Sequence, residues 1–200
     1  IMMTGPLTGT LAPTGARYMV MTKSPLTGAV TCSNSGGRFP AMLKRAGLDG
    51  IIFEGASPDP VYLWINDSDV ELRRADHVWG LDTHETPRRL KAETDPEACV
   101  ACIGPAGENL VRFAAFIGDR GHSASHNGIG ATIGSKRLKA IAVGRPSSTV
   151  PVYDRKAVTE IAKHMISLVL DNPAKKSTFL WGTLRGVALG TPLRTWLPVK

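Results

Sequence analysis

The chain has 200 residues, of which 42% are hydrophobic and 20% charged, with 21 glycines and 14 prolines. This composition predicts one globular domain, or a domain with an extension, and argues against a disordered chain. The formal net charge is +7, but the basic residues are scattered without interleaved aromatic residues. We therefore interpret them as a solvated surface and predict no nucleic-acid partner, while binding of small phosphorylated molecules stays open.

The cysteine count and the apolar runs bear on location. Three cysteines, an odd number, and no signal peptide pattern predict a reducing compartment, so we expect a cytoplasmic protein without a disulfide framework. No apolar run approaches the ~20 residues of a membrane helix, so no membrane association is predicted. Both ends of the chain fall abruptly inside apolar segments, and we expect a fragment of a longer protein.

The first half of the chain predicts strands with one helix. Strands are expected in RYMVMTK (17–23) and GAVTCSN (28–34), joined by a Pro-Gly turn. The spacing of FPAMLKRAG predicts a helix that ends at Gly47. Further strands are expected in GIIFEG (50–55) and in VYLWIND with its return strand.

The second half adds two helices and three strands. A helix is predicted in DTHETPRRLKAET, with Asp82 or Thr83 as its cap. Strands are expected in ACVACIG, VRFAAFIG and LKAIAVG. From Tyr153 a helical pattern runs to Asn172 and Pro173. These elements predict an α+β domain up to about Arg145, followed by a helix of the next region.

Two residue pairs invite a metal interpretation. Cys99 and Cys102 have a C-x-x-C spacing, but in an extended strand the two side chains point to opposite faces, which favours buried strand cysteines. His122 and His126 have the i, i+4 spacing of a zinc-binding helix. The surrounding Ser and Gly residues indicate a loop instead, and no carboxylate supports either ring.

A glycine-rich segment, GDRGHSASHNGIGATIGSK (118–136), is the strongest candidate for ligand binding. Dense glycines allow close backbone approach, and a short helix behind them would aim free N–H groups at an anion. PTGARY and SNSGG would place a guanidinium, an amide and backbone N–H groups near one another, although a plain turn remains an alternative.

Many short segments of the sequence together resemble the N-terminal domain of the aldehyde:ferredoxin oxidoreductase family of tungsten enzymes. They include APTGARY, SNSGG, LKRAGLDGIIFEG, CIGPAGENLVRFAAF and DRGHSASHNGIGATIGSKRLKAIAV, and the match runs in order from Gly5 to about Val150. The resemblance implies two β-sheets with short helices that form a cofactor-cradling base over residues 1–150. Residues 151–200 would begin the helical domain.

The resemblance implies a tungsten or molybdenum bis-pterin cofactor, with magnesium bridging the pterin phosphates. The cysteines for a [4Fe–4S] cluster and the acid/base residues would lie outside this chain. We therefore expect the 200-residue chain alone to be inactive and predict no catalytic residue within it.

Three site residues of the first half carry over from the family. Arg17 falls where the family has an arginine for a pterin phosphate. Asn34 falls where an asparagine helps to hold magnesium through its amide oxygen, a hard ligand. Gly36 falls where a backbone N–H approaches the pterin, and a side chain there would block it.

The glycine-rich segment departs from the family, which reads R-A-A-G-R-G-G where this chain reads HSASHNG. His122 and His126 replace arginines, so a permanent charge is lost at each position. Ser125 replaces a glycine. Ser123 occupies a position whose backbone carbonyl helps to bind magnesium. We expect His122, Ser123 and Ser125 to contact the cofactor.

The resemblance implies an enzyme that oxidises aldehydes to carboxylic acids and passes electrons through the cluster to ferredoxin or a similar acceptor. Two alternatives stay open: a non-catalytic pterin or nucleotide phosphate-binding module, and a family member with a different substrate. Assembly as a homo-oligomer or with an electron-transfer subunit also stays open.

Overall fold

The computed structural model describes residues 1–172, 175 and 180–182. The chain divides into two compact units, residues 1–153 and 154–200. The first unit holds two β-sheets and several short helices, which confirms the predicted α+β class. The described part of the second unit is mainly one helix; most of the predicted start of a helical domain beyond residue 172 lies outside the described residues.

Ten strands and five α-helices occur among the described residues. The strands are β1 (Met2–Thr4), β2 (Tyr18–Lys23), β3 (Val30–Ser35), β4 (Gly50–Ile51), β5 (Val61–Asn66), β6 (Asp69–Arg74), β7 (Cys99–Cys102), β8 (Phe116–Gly118), β9 (His122–Ala124) and β10 (Leu138–Val143). The helices are α1 (Phe39–Arg45), α2 (Glu85–Glu93), α3 (Pro105–Glu108), α4 (Ile129–Ser135) and α5 (Arg155–Leu170).

The smaller sheet is antiparallel, with the strand order β3-β2-β1-β4. Its β2–β3 hairpin pairs Tyr18 with Ser35 at one end and Lys23 with Val30 at the other. Burial along β3 alternates strictly, because successive side chains of a strand point to opposite faces. This hairpin therefore has one covered face and one open face.

The larger sheet has the strand order β6-β5-β10-β7-β8-β9. Its central strand β10 runs parallel to β5 and antiparallel to β7, and the remaining pairs are antiparallel. Every residue of β7 and β10 is buried. Runs that are almost entirely apolar, such as LKAIAV with its single lysine, are typical of strands covered on both faces.

Two apolar cores cover the two faces of the larger sheet. The first core contains side chains of both sheets together with α1 and α4, among them Tyr18, Phe39 and Ile141. The second core lies on the other face and includes Leu90 of α2 and Trp64 of β5. The smaller sheet is thus joined to the larger one through the first core.

Two predicted strands are much shorter than expected. Only residues 50 and 51 of GIIFEG form a strand, β4. In VRFAAFIG only Phe116–Gly118 is extended, because Leu110 has a φ of 57° and the Ala114 N–H donates to the Val111 carbonyl in a turn. Hydrophobic residues in a turn cannot be distinguished from a short strand by their pattern alone.

Two predicted helices begin near an aspartate carboxylate, although the residue directly before α2 is His84, which makes no side-chain capping bond. The Asp82 Oδ1 accepts from the N–H groups of His84 and Glu85 at 2.9 and 2.8 Å, and these bonds lower the pKa of Asp82. The Asp154 side chain accepts from Ala157 N at 2.9 Å before α5. Within the described residues, none of the helices combines the length and apolarity needed to cross a membrane.

Candidate functional site

The candidate site lies where the two sheets meet at their edges. Strand β3 is the edge of the smaller sheet and β9 is the edge of the larger one, and the two strands are in contact. All predicted site residues lie on these strands or directly beside them. They are Arg17, just before β2; Asn34 in β3 and Gly36 after it; His122 and Ser123 in β9; and Ser125 after it.

Arg17 and Asn34 form a pair on the open face of the hairpin. The Arg17 Nε donates a hydrogen bond to Asn34 Oδ1, and both side chains are exposed. An amide oxygen has two lone pairs and a guanidinium has five N–H donors. The pair therefore keeps capacity to bind an anion through Arg17 and a hard cation through Asn34.

The two glycines of SNSGG make room for the neighbouring site residues. A Cβ at Gly36 would lie 3.3 Å from the Ala16 carbonyl oxygen and 3.6 Å from Arg17 Nη1. A Cβ at Gly37, where φ is +91°, would lie 2.5 Å from Cδ2 of His122. Gly37 thus allows the His122 ring to lie against the hairpin. This role of Gly37 was not predicted from the sequence, in which the doubled glycine was its available signal.

The exposed part of the glycine-rich segment is short and combines the strand β9 with a 3-10 turn on each side of it. His122 and Ser125 are exposed, and Ser123 is half-buried opposite Ile117 of β8. His126 begins a 3-10 turn that ends at Gly128. Because His122 lies in a strand and His126 in a turn, the helical i, i+4 arrangement that would suit zinc does not occur. Within the described residues, no group of three or more His, Cys, Asp or Glu side chains is placed to hold a metal ion.

Most glycines of this segment serve packing rather than an open anion cradle. A Cβ at Gly128, Gly130 or Gly134 would overlap backbone atoms of residues 112, 115 and 107, respectively. The Gly130 N–H at the start of α4 donates to the Ala114 carbonyl at 2.9 Å. The expectation that this short helix aims its free N–H groups at an anion is therefore wrong for Gly130, because a buried backbone donor is paired internally.

The two strand cysteines are buried on opposite faces of β7, as predicted. Cys99 belongs to the core between the sheets, and Cys102 belongs to the core on the other face. Burial raises the pKa of each thiol to about 12, and Asp119 adds to the effect at Cys99. Neutral thiols on opposite faces suit packing, not metal binding.

The family assignment follows from the whole first unit. The family described as "Aldehyde ferredoxin oxidoreductase, N-terminal domain" matches residues 1–145. The chain belongs to the aldehyde ferredoxin oxidoreductase family. The resemblance found in the sequence is thereby confirmed, and the family is one of oxidoreductases.

Relatives within and around the aldehyde ferredoxin oxidoreductase family differ in their named activities. The tungsten-containing aldehyde ferredoxin oxidoreductases of Pyrococcus furiosus and Pyrococcus horikoshii are 48% and 52% identical over 86% of this chain. A Pyrococcus furiosus protein named aliphatic sulfonate oxidoreductase, WOR-like subunit, is 35% identical over 98% of the chain and 34% of its own length. This chain spans only 29% and 28% of the two aldehyde oxidoreductases.

A solved structure shares the fold of this family member. It is the active site complex of benzoyl coenzyme A reductase with 1,5-dienoyl-CoA, which superposes with a TM-score of 0.82 at 40% identity. The match covers 85% of this chain and 26% of the other chain. The two-sheet architecture is thus common to relatives whose names give different substrates.

Proposed function

We propose that this chain is the pterin-cofactor-binding part of an oxidoreductase that oxidises aldehydes to carboxylic acids. Electrons would leave through an iron–sulfur cluster, held outside the chain, to ferredoxin. Membership of the family and the names of the Pyrococcus relatives support this proposal. The observation that carries it is the Arg17–Asn34 pair, which lies beside Gly36 at the junction of the sheets.

The donor set at the junction fits a bis-pterin with magnesium between its phosphates. A guanidinium suits phosphate oxygens, and amide and backbone carbonyl oxygens suit magnesium. Gly36 leaves space beside Arg17 that a Cβ would fill, and Gly37 lets the His122 ring approach the same hairpin. When bound, the tungsten centre would supply the two-electron oxygen chemistry, and the protein would supply orientation and electrostatics.

Each site residue has a distinct part in this proposal. Arg17 binds a pterin phosphate, and Asn34 binds magnesium together with the backbone carbonyl of Ser123. Gly36 offers its backbone N–H to the pterin. His122 and Ser125 contribute an imidazole and a hydroxyl on the facing strand edge. A cytoplasmic enzyme with reduced thiols is consistent with three free cysteines among the described residues.

The test is cofactor retention by Arg17 variants of the full-length protein under limiting pterin. Arg17→Ala should lose about 1.5–3 kcal/mol of cofactor binding, the scale of a charge-assisted hydrogen bond. Arg17→Lys should recover only part, because an ammonium lacks the planar fork of the guanidinium. Tungsten content and the fluorescence of the oxidised pterin measure the retention.

Arg74→Ala is the matched control, since Arg74 is an exposed arginine of β6 that pairs with Asp59 and Asp76 away from the junction. It should retain the cofactor fully. Equal cofactor retention by Arg17→Ala and Arg74→Ala would show that Arg17 does not bind the cofactor.

A second candidate is an enzyme of the same family with a substrate other than an aldehyde. The 35% identical sulfonate oxidoreductase subunit and the 40% identical benzoyl coenzyme A reductase complex favour it. The holoenzyme should be assayed with an aldehyde and with an aliphatic sulfonate in the presence of oxidised ferredoxin, and with an aromatic coenzyme A thioester in the presence of reduced ferredoxin. Turnover of the aldehyde alone supports the first candidate, and turnover of either other substrate alone supports the second.

A further inference from the structure

A row of hydroxyl side chains lines the covered face of β3. Thr31, Ser33 and Ser35 are only 5%, 5% and 2% exposed. They alternate with the outward-facing residues of the same strand, as a period of two requires. A row of polar groups on a covered face is unusual, because each buried hydroxyl needs a hydrogen bond partner.

Two of these hydroxyls bind the segment that follows β9. The Asn127 Nδ2 donates to Thr31 Oγ1 at 2.6 Å, and the His126 backbone N–H donates to Ser33 Oγ at 3.1 Å. At the hairpin turn, Ser24 Oγ donates to the Asn127 carbonyl at 2.9 Å. We call Ser24, Thr31, Ser33 and Asn127 the hairpin clasp.

The Ser24 hydroxyl also fixes the hairpin turn itself. Its Oγ accepts from the backbone N–H groups of Leu26 and Thr27, both at 3.1 Å. The same oxygen therefore orders the turn and binds the facing segment. Because one hydroxyl makes both sets of contacts, a change in the shape of the turn would also move Asn127.

The backbone of Asn127 has the left-handed conformation, with φ 59° and ψ 28°. Among residues with a side chain, asparagine adopts this conformation most readily, because its short amide bonds locally. Glycine would adopt it with less strain but would bring no donor to Thr31. Asn127 thus supplies both the bend and the contact that holds it.

The clasp joins the two halves of the candidate site. The hairpin carries Asn34, with Arg17 and Gly36 directly beside it, and the segment beside the clasp carries His122, Ser123 and Ser125. All three clasp contacts connect residues at least 93 positions apart in the chain. These contacts therefore fix the distance between the two halves of the site.

We propose that the hairpin clasp is a set of positioning residues that holds both halves of the site in register before the cofactor binds. The identity of the ligand rests on the proposed function. A site that is already ordered binds more tightly, because less conformational entropy is lost on binding. Strand β9 is ordered by its pairing with β8, but without the clasp the residues 125–127 that follow it would have to be ordered by the ligand.

The test compares clasp variants of the full-length protein with a control on the same strand face. Asn127→Gly keeps the backbone conformation and removes the amide. Thr31→Val removes the acceptor with little change of shape, and Thr31→Ser keeps the hydroxyl. Ser35→Ala is the control, because Ser35 Oγ lies beside the Tyr18 hydroxyl but has no partner in hydrogen-bonding geometry among the described residues.

Two readouts are needed: amide hydrogen exchange of residues 122–128 in the ligand-free protein, and retention of tungsten and pterin. Asn127→Gly and Thr31→Val should speed exchange about tenfold, as expected for one lost hydrogen bond, and should reduce retention. Thr31→Ser should restore both quantities. Ser35→Ala should change neither.

The outcomes separate this proposal from the proposed function. Exchange equal to that of Ser35→Ala in both clasp variants would overturn the clasp, and faster exchange with unchanged retention would overturn its positioning role. If Thr31→Val fails to fold, Asn127→Gly decides alone. Full retention by Arg17→Ala would refute the cofactor role of the junction, whereas faster exchange in the clasp variants would still support the clasp as the element that orders the segment.

Discussion

The central strands of the larger sheet differ from the β2–β3 hairpin of the smaller sheet in how their faces are covered. Strands β7 and β10 are buried at every residue and are covered by a core on each face. Strand β3 alternates between covered and open faces. The candidate site residues avoid β7 and β10 and lie at sheet edges. A ligand site needs polar groups that are exposed to the ligand and are held in place by packing. A sheet edge with one covered face and one open face provides such groups.

The largest effect is expected from replacing the one charged side chain inside the central strands β7 and β10. Lys139 of β10 is fully buried; its Nζ donates to the Leu81 carbonyl at 2.7 Å and pairs with the Glu108 carboxylate, which is 5% exposed. Lys139→Met should lower the free energy of unfolding by about 3–5 kcal/mol, because it leaves a buried carboxylate without its cation. Guanidinium-induced unfolding measures the loss.

Adding Glu108→Gln to Lys139→Met should recover part of that stability, since no charge is then left buried. Arg74→Met is the surface control. Arg74 pairs with Asp59 and Asp76 in the open, and its replacement should lower the free energy of unfolding far less than Lys139→Met does. Similar losses for Lys139→Met and Arg74→Met would refute the contrast between the interior and the surface.

A smaller effect is expected where helix α4 packs closely on α3. A Cβ at Gly134 would overlap the Gly107 carbonyl oxygen, so Gly134→Ala should destabilise by roughly 1–3 kcal/mol through overpacking. Gly5→Ala is the control, because the nearest atom to a Cβ there is Thr8 Oγ1 at 3.4 Å. Thermal unfolding of both variants measures the difference, and a Gly134→Ala protein as stable as Gly5→Ala would contradict the packing role.

The junction itself should respond to the charge at position 122. His122→Arg places a permanent cation on the strand edge that faces Arg17 and Asn34, so it should increase cofactor retention, whereas the neutral His122→Gln should not. Retention of tungsten and pterin measures the difference, and equal retention by the two variants would exclude residue 122 as a phosphate contact.

The smallest effect concerns the thiols of the two sheets. Cys32 is exposed on the open face of β3, whereas Cys99 and Cys102 are buried and the pKa of each is raised to about 12. At pH 8, iodoacetamide should label Cys32 in the 200-residue chain and should reach the other two only after unfolding. Labelling of Cys32 should change the free energy of unfolding by less than about 0.5 kcal/mol. Mass spectrometry of native and denatured samples checks both statements, and labelling of Cys99 in the native chain would refute them.

The strands and capped helices were predictable because their signals are local. Period-two patterns placed β2 and β3 nearly at their observed bounds, and the helical patterns after Asp82 and from Tyr153 marked α2 and α5. The early end of β4 and the turn at Leu110 were not predictable. Apolar residues at these places, among them Ile52, Leu110 and Phe113, are exposed, so an apolar pattern alone predicts more strand than forms.

The resemblance supplied the candidate residues of the site, whereas their geometry could not be predicted. The resemblance named residues on both sides of the junction, and the structure shows that β3 and β9 bring them together. Neither the contact of His122 with Gly37 nor the bond from Asn127 to Thr31 could be read from spacing. Such contacts depend on how two sheet edges approach, which is fixed by the core between the sheets.

The position of β10 in the larger sheet affects how the protein folds while it is being synthesised. It is the last strand of the larger sheet in the chain, yet it lies between β5 and β7. Until Leu138–Val143 has left the ribosome, the β5–β6 hairpin and the β7–β8–β9 meander have no strand to join them, and each presents an unpaired apolar edge. Such edges attract other chains, so a nascent protein that pauses before residue 138 should depend on chaperones more than one that pauses after residue 143.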